Sequence, residues 1–421
     1  MAQPVDAPRR AALTLLMGVT EEGALLSELL PKVMAPLAPA DRARAQRLAT
    51  GTLRWADRAD RALGPFLRMK PWPRTHNAMR LALYEIYVEG AAEHGAVNAA
   101  VESVRSLPDT AHQAGLTNAV LRNVIRKGGW DALPMPQLPK WLRKPLIADF
   151  GKARIAEMER AFAKGAPLDL TARGGDGAAL AERLGGTLLP TGSVRLTNPG
   201  QVSALPGYDT GDWWVQDAAA ALPAQILNAQ PGERVLDMCA APGGKTMQLA
   251  ATGATVTAID SSETRMARLR ANLTRTQLTA DTIVADALAF TSETPFDAIL
   301  LDAPCSATGT LRRHPDLPYA KDGSNFPDLF LLQEQMIDAA LALLKPGGRL
   351  IYCTCSLLID EGEEQVRDTL ERHPTLTIEP ISHPAIPPEW HTPEGIRITP
   401  EYWPDLGHLD GFFITILRRP T

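Results

Sequence analysis

VLDMCAAPGGKT, residues 235–246, decides the fold. An apolar run ends near Cys239, Gly243 and Gly244 allow a tight turn, and a helical segment begins near Lys245. A strand, a glycine turn and a helix in that order bring backbone N–H groups at a helix N-terminus within reach of a ligand. Outward from it, RVLDMC (234–239), TVTAID (255–260), DTIVAD (281–286), FDAILLD (296–302) and RLIYCT (349–354) are short apolar runs, most of them separated by helical segments. Near-continuous apolar strands alternating with helices predict a mostly parallel sheet with helices on both faces. Residues 211–421 are therefore expected to form an α/β, Rossmann-like domain that binds its ligand at the carboxyl ends of the strands.

The rest of the chain has a different texture. Val97, Val101 and Val104 recur at helical spacing, as do Met79, Leu83 and Ile86, with breaks at Pro71, Pro73 and the Gly128-Gly129 pair. Residues 1–130 read as an all-helical domain. Pro134, Pro136 and Pro139 read as a linker, followed by helices around 139–148 and 152–164. PLDLTAR (167–173) and SVRLTN (193–198) read as strands flanking the helical ALAERLGG (179–186), so 131–210 is expected to hold the linker and a small α+β segment.

No apolar run reaches the roughly 18 residues of a membrane span, and MAQPVDAPRR lacks the apolar core of a signal peptide. A cytoplasmic protein is expected. Net charge is −5, yet residues 1–140 carry 18 Lys and Arg against 13 Asp and Glu, leaving 25 against 35 for the remainder. That basic excess is placed to meet phosphates, although an ordinary solvated helical surface has the same balance. The four cysteines, Cys239, Cys305, Cys353 and Cys355, all lie in the C-terminal half. A reducing compartment argues against disulfides, and no Cys or His pair stands at metal-ligand spacing, so no metal is expected.

Two nucleotide-type readings compete at 239–246. A phosphate-binding loop would need glycine where Cys239 stands, although Gly244-Lys245-Thr246 fit. An adenosyl cofactor calls instead for an acid at the end of the second strand to accept from ribose hydroxyls. Asp260 is there, 17 residues past Gly243 and near the expected ~20. Asp286, ending the third strand, is expected at the adenine edge, and Asp237 inside the first strand reads as support for the loop.

Cys305 follows the fourth apolar run in DAPCSATG, and Cys355 follows the fifth in CTCS, 50 residues on. Both thiols should lie at the sheet edge where the cofactor binds, whereas Cys353 sits inside a strand and suits packing. A thiol beside a methyl donor has one clear use. Carbon 5 of cytosine is a poor nucleophile, and a thiolate adding to carbon 6 activates it. A base must then take the carbon-5 proton before the thiol leaves. Asp302 is placed to bond the ring's N3 or amino group and to orient the donor.

CAAPGGK (239–245), DAPCSATG (302–309), TCS (354–356) and DGFF (410–413) resemble the NOL1/NOP2/Sun family of RNA 5-methylcytosine methyltransferases, and VQDAAA (215–220) is similar to the segment preceding its core. The resemblance implies S-adenosylmethionine as cofactor, with contacts at Cys239, Ala240, Ala241, Pro242, Gly243, Gly244, Lys245, Asp260, Asp286 and Asp302. It implies Cys355 as nucleophile and Cys305 as the thiol aiding product release. AVNAAVESVR (96–105) and GLTNAVLRNVIR (115–126) resemble NusB-like RNA-binding domains. That domain joined to this core implies 16S rRNA as partner, a small RRM-like middle segment, and a monomer with neither metal nor membrane. Arg312, Arg313 and His314 are candidate phosphate contacts or simply a solvated loop. An RNA-binding or antitermination module with a vestigial catalytic half is the alternative, which the intact cysteine pair opposes.

Overall fold

The computed structural model describes residues 6–421. Four short strands form an antiparallel sheet in the order β2-β3-β1-β4: β1 Leu168–Ala172, β2 Thr187–Leu188, β3 Val194–Leu196 and β4 Trp213–Val215. A second sheet contains β5 Arg234–Met238, β6 Thr255–Asp260, β7 Asp281–Val284, β8 Phe296–Asp302, β9 Leu344–Thr354, β10 Thr377–Ile378, β11 His391–Thr392, β12 Gly395–Ile398 and β13 Phe412–Arg418. Its order is β11-β12-β13-β9-β8-β5-β6-β7, with β10 on β13. The five strands from β9 to β7 are parallel, and β13 is antiparallel to β9. From β5 the chain moves through β6 to β7, then returns to the other side of β5 as β8. The order thus reverses between β5 and β8, the point at which open α/β sheets bind ligands in the crevice beyond the carboxyl ends of the strands.

The parallel strands are built as their composition dictates. Val235, Leu236 and Met238 of β5 and Ile299, Leu300 and Leu301 of β8 are fully buried, as expected of strands covered on both faces. Each such side chain contributes about 1.5–3 kcal/mol by leaving water. The antiparallel additions β10–β13 extend the sheet past the strands read from the sequence.

The compact units do not follow the expected divisions at 130 and 210. One comprises the chain up to Gly165 together with Leu311–Gly323; the other comprises Ala166–Thr310 and Ser324–Thr421. The Pro134–Pro139 stretch belongs to the first because the long helix Pro39–Leu63 holds it: Gln137 N donates to Asp57 (3.0 Å), and Arg58 donates to Leu133 O (2.9 Å). The small sheet belongs to the second. Its last strand, β4, lies beyond residue 210, and the buried Asp169–Arg195 pair reaches further. Arg195 donates to Leu406 O and His408 O, both at 2.7 Å, while Asp169 accepts from Ala218 N.

The first unit is helical, without a strand among the described residues. Asp6 caps its opening helix, Ala7–Glu22, by accepting from Arg9 N. Val97, Val101 and Val104 enter its core beside Met79 and Leu83. Arg312 is also fully buried within this unit, and Arg54 donates to its carbonyl (2.9 Å). That removes Arg312 as a phosphate contact, while Arg313 and His314 are exposed.

Candidate active site

The loop after β5 is shaped by its backbone. Cys239 has φ 61° and Gly243 has φ 104°, and a side chain on Gly243 would press on Leu269 at 2.9 Å. Glycine is required there. The helix Gly244–Ala251 then begins beyond the turn. Asp260, at the end of β6, accepts from Ala241 N (3.2 Å) and Ser262 N (3.0 Å), so it ties the loop to the neighbouring strand. Arg265 adds a bond to Ala241 O (2.6 Å). Asp286 lies two residues past β7, at the same sheet edge and exposed, with its carboxylate accepting from Leu288 N (3.0 Å).

Asp302 ends β8 and forms the centre of a small charged group. Its Oδ2 accepts from Lys245 Nζ at 2.7 Å, and Cys353 Sγ lies 3.6 Å from Oδ1. Lys245 is buried, with its ammonium over the Phe412 ring. Burial alone would discharge it, but Asp302 reverses the effect and raises its pKa, so Lys245 stays charged. Lys245 is thereby committed to a carboxylate, which disfavours the phosphate-loop reading. Asp237 carries Thr246's hydroxyl bond (2.6 Å) as support for the loop, and burial pushes its carboxyl up to about 7.

The two candidate thiols meet: Cys305 Sγ and Cys355 Sγ are 3.5 Å apart. Their loops interlock through Gly309, whose N–H donates to Cys355 O (2.9 Å) and whose carbonyl accepts from Gly411 N (2.8 Å). A methyl group on Gly309 would sit 2.2 Å from Gly411 O. The DAPCSATG, TCS and DGFF segments therefore converge on one point, although they lie more than 100 residues apart at the extremes. The hydrogen bond with Cys355, burial and the Glu361 carboxylate together raise the Cys305 thiol well above its ordinary range. Burial beside Asp302 and Asp260 likewise pushes Cys239 up to about 12.

Sequence reading missed Glu361 and Gln333. Glu361 is fully buried and accepts from Ser306 N (2.9 Å), the Ser306 hydroxyl and Gln333 Nε2 (3.0 Å). Its backbone carbonyl accepts from Tyr352 OH (2.8 Å) and the Thr354 hydroxyl (3.0 Å). Ser306 in turn lies 3.0 Å from Ser356 Oγ. Through its carboxylate and its carbonyl, Glu361 thus joins the residue after Cys305 to the strand that delivers Cys355. An acid in a loop looks like a solvated surface group, and its position six residues after Cys355 was the only available signal.

A glycine turn at the head of β5, acids at successive strand ends and a reversal of strand order define an S-adenosylmethionine-dependent methyltransferase of Rossmann-like fold. A 16S rRNA methyltransferase RsmB/F family model matches residues 224–418, and the NusB family matches 6–126. The ribosomal RNA small subunit methyltransferase B of Vibrio cholerae is 35% identical, over 98% of this chain and 97% of that protein. The Pseudomonas putida protein of the same name is also 35% identical, over 87% of this chain and 89% of its own length. The crystal structure of PH0851 superposes with a TM-score of 0.73, 20% identical over 99% and 100% of the two chains. A methyltransferase homolog from Pyrococcus horikoshii gives a TM-score of 0.56, 26% identical over 67% and 95%. The chain belongs to the rRNA small subunit methyltransferase B family. Among the described residues no helix is long and apolar enough to cross a membrane, and no cluster could hold a metal ion.

Proposed function

We infer that the protein methylates carbon 5 of a cytosine in 16S rRNA, in the cytoplasm, through a covalent bond between Cys355 and carbon 6 of the ring. The observation that carries this reading is the 3.5 Å approach of two thiols beside the Lys245–Asp302 pair at the ends of adjacent strands. S-adenosylmethionine supplies a methyl group activated on a positively charged sulfur. The donor set fits it: a glycine loop, Asp260 and Asp286 past the next two strands, and Asp302 facing the crevice.

Cys355 attacks carbon 6 as a thiolate, which loads electron density onto carbon 5. In this reading Asp302 accepts from the ring's amino group, and Lys245 keeps that carboxylate oriented. Once carbon 5 carries its methyl group, its proton leaves to a base, the carbon 6–sulfur bond breaks and aromaticity returns. The raised pKa of Cys305 keeps its thiol protonated and leaves the attack to Cys355, while its sulfur, 3.5 Å away, is within reach of the departing Cys355 sulfur. The target base must leave its stack for a thiolate to reach its face, so an unpaired or splayed segment is the substrate.

Digestion of RNA methylated in vitro, followed by chromatography of the nucleosides, should yield 5-methylcytidine. A ribose-methylated or N4-methylated product would overturn the reading.

A further inference from the structure

The helical unit carries an exposed aromatic and basic strip that the catalytic reading does not use. Residues 61–84 contain five Arg and Lys and no Asp or Glu; residues 110–130 contain three and none. The fold lays these two acid-free segments side by side. Lys127 Nζ stands 5.6 Å over the Phe66 ring at one end, and Trp72 N donates to Gln113 Oε1 (3.2 Å) at the other. The helix Ala114–Lys127 between those anchors is about 21 Å long at 1.5 Å per residue. The segment from Phe66 to Trp72 runs between those anchors, with bends at Arg68 and Met69.

Met69 is 83% exposed and Trp72 50% exposed, with Arg68 and Lys70 exposed between and beside them. The Trp72 indole meets the exposed His112 ring edge-on, at 5.7 Å and 81°. A perpendicular neighbour props the indole and leaves a face open. An exposed tryptophan in solvent is costly, and an aromatic face with Arg68 and Lys70 beside it suits a base and its phosphates.

We propose that the Phe66–Trp72 loop, with His112 and Lys127, is a stacking platform for an unpaired stretch of RNA: Trp72 takes a base on its open face, and Arg68, Lys70 and Lys127 take the adjoining phosphates. Single-stranded RNA is favoured over duplex because a paired base has no free face to offer. The proposal rests on the RNA reading above and adds a site to it.

The test is fluorescence anisotropy of the full chain with a labelled 12-nucleotide single-stranded RNA and a hairpin of equal length. Trp72→Ala should weaken single-strand binding about tenfold, with Trp72→Phe retaining most of it and S-adenosylmethionine binding unchanged in both. Removing Arg68 and Lys70 should flatten the salt dependence by a slope of about 1.4. If the wild type binds RNA and Trp72→Ala binds equally well, the platform is wrong while the RNA reading stands. If the wild type binds neither RNA, the RNA reading itself fails. A wild-type dimer that Trp72→Ala dissociates in sedimentation would assign the strip to a second copy of the chain and overturn the proposal.

Discussion

Two aspartates show how differently the two units use buried charge. In the helical unit Asp60 accepts from Arg80 at 2.6 and 2.7 Å and from His76 at 3.0 Å. Burial works to raise its pKa, but the bonds from Arg80 and His76 overcome it and hold the carboxyl at about 2. In the α/β unit Asp237 has a hydroxyl partner on one oxygen and none on the other, and burial leaves it at about 7. The first arrangement settles a charge to fix helices against each other. The second leaves a group near its titration point beneath the cofactor loop. The same unit also holds non-glycine residues at positive φ beside its functional loops, Cys239 (61°) and Ala307 (58°). Arg80 settles the charge on Asp60, whereas Asp237 and these two backbone positions lie beside the candidate site.

The contrast can be broken by variants on either side of it. The largest effect is expected from Gly309→Ala. Its methyl group must displace Gly411 or Cys355 backbone, and a misplacement of about 1 Å at a reacting centre costs on the order of a hundredfold in rate. RNA binding should be unaffected; if activity survives, the three loops are not held as tightly as their contacts imply. Glu361→Gln comes next. Hydrogen bonds to a charged acceptor contribute about 1.5–3 kcal/mol, so turnover should fall roughly tenfold or more, with Glu361→Asp partly restoring it. Mass-spectrometric mapping of iodoacetamide labelling against pH should also show Cys305 reacting more readily without the carboxylate; an unchanged profile would make Glu361 merely structural.

Asp60→Asn should lower the stability of the helical unit by about 1 kcal/mol, the charge-assisted bonds being discounted for partial exposure. A depressed pKa contributes stability that is present above the unfolded value near 4 and lost as pH falls towards 2. Thermal unfolding of the variant should therefore lose that acid-side slope. Asp237→Asn should have the opposite sign. A raised carboxyl pKa makes the fold lose stability as pH climbs from about 4 to about 7, and the variant should flatten that loss. Equal slopes in variant and wild type would show that Asp237 does not titrate there.

Most of the α/β unit was legible because its strands are apolar runs: the segments read at 234–239, 255–260, 296–302 and 349–354 contain β5, β6, β8 and the end of β9. The antiparallel strands escaped. FFITILR forms β13, and its opening residues were read only as part of the DGFF segment. The meeting of Cys305 and Cys355 followed from strand order, since both thiols sit just past apolar strands. The Glu361 clamp and the burial of Arg312 did not follow, because a charged residue in a loop gives no sign in the sequence of whether tertiary packing encloses it.

The central claim is that Cys355 attacks and Cys305 releases. Incubating wild type, Cys305→Ser and Cys355→Ser with RNA and S-adenosylmethionine, then resolving each on a denaturing gel, tests it most directly. The account predicts a covalent protein–RNA band that accumulates for Cys305→Ser, and neither band nor methylation for Cys355→Ser despite retained cofactor binding. Methylation by Cys355→Ser, or a covalent band formed by it, would contradict the account.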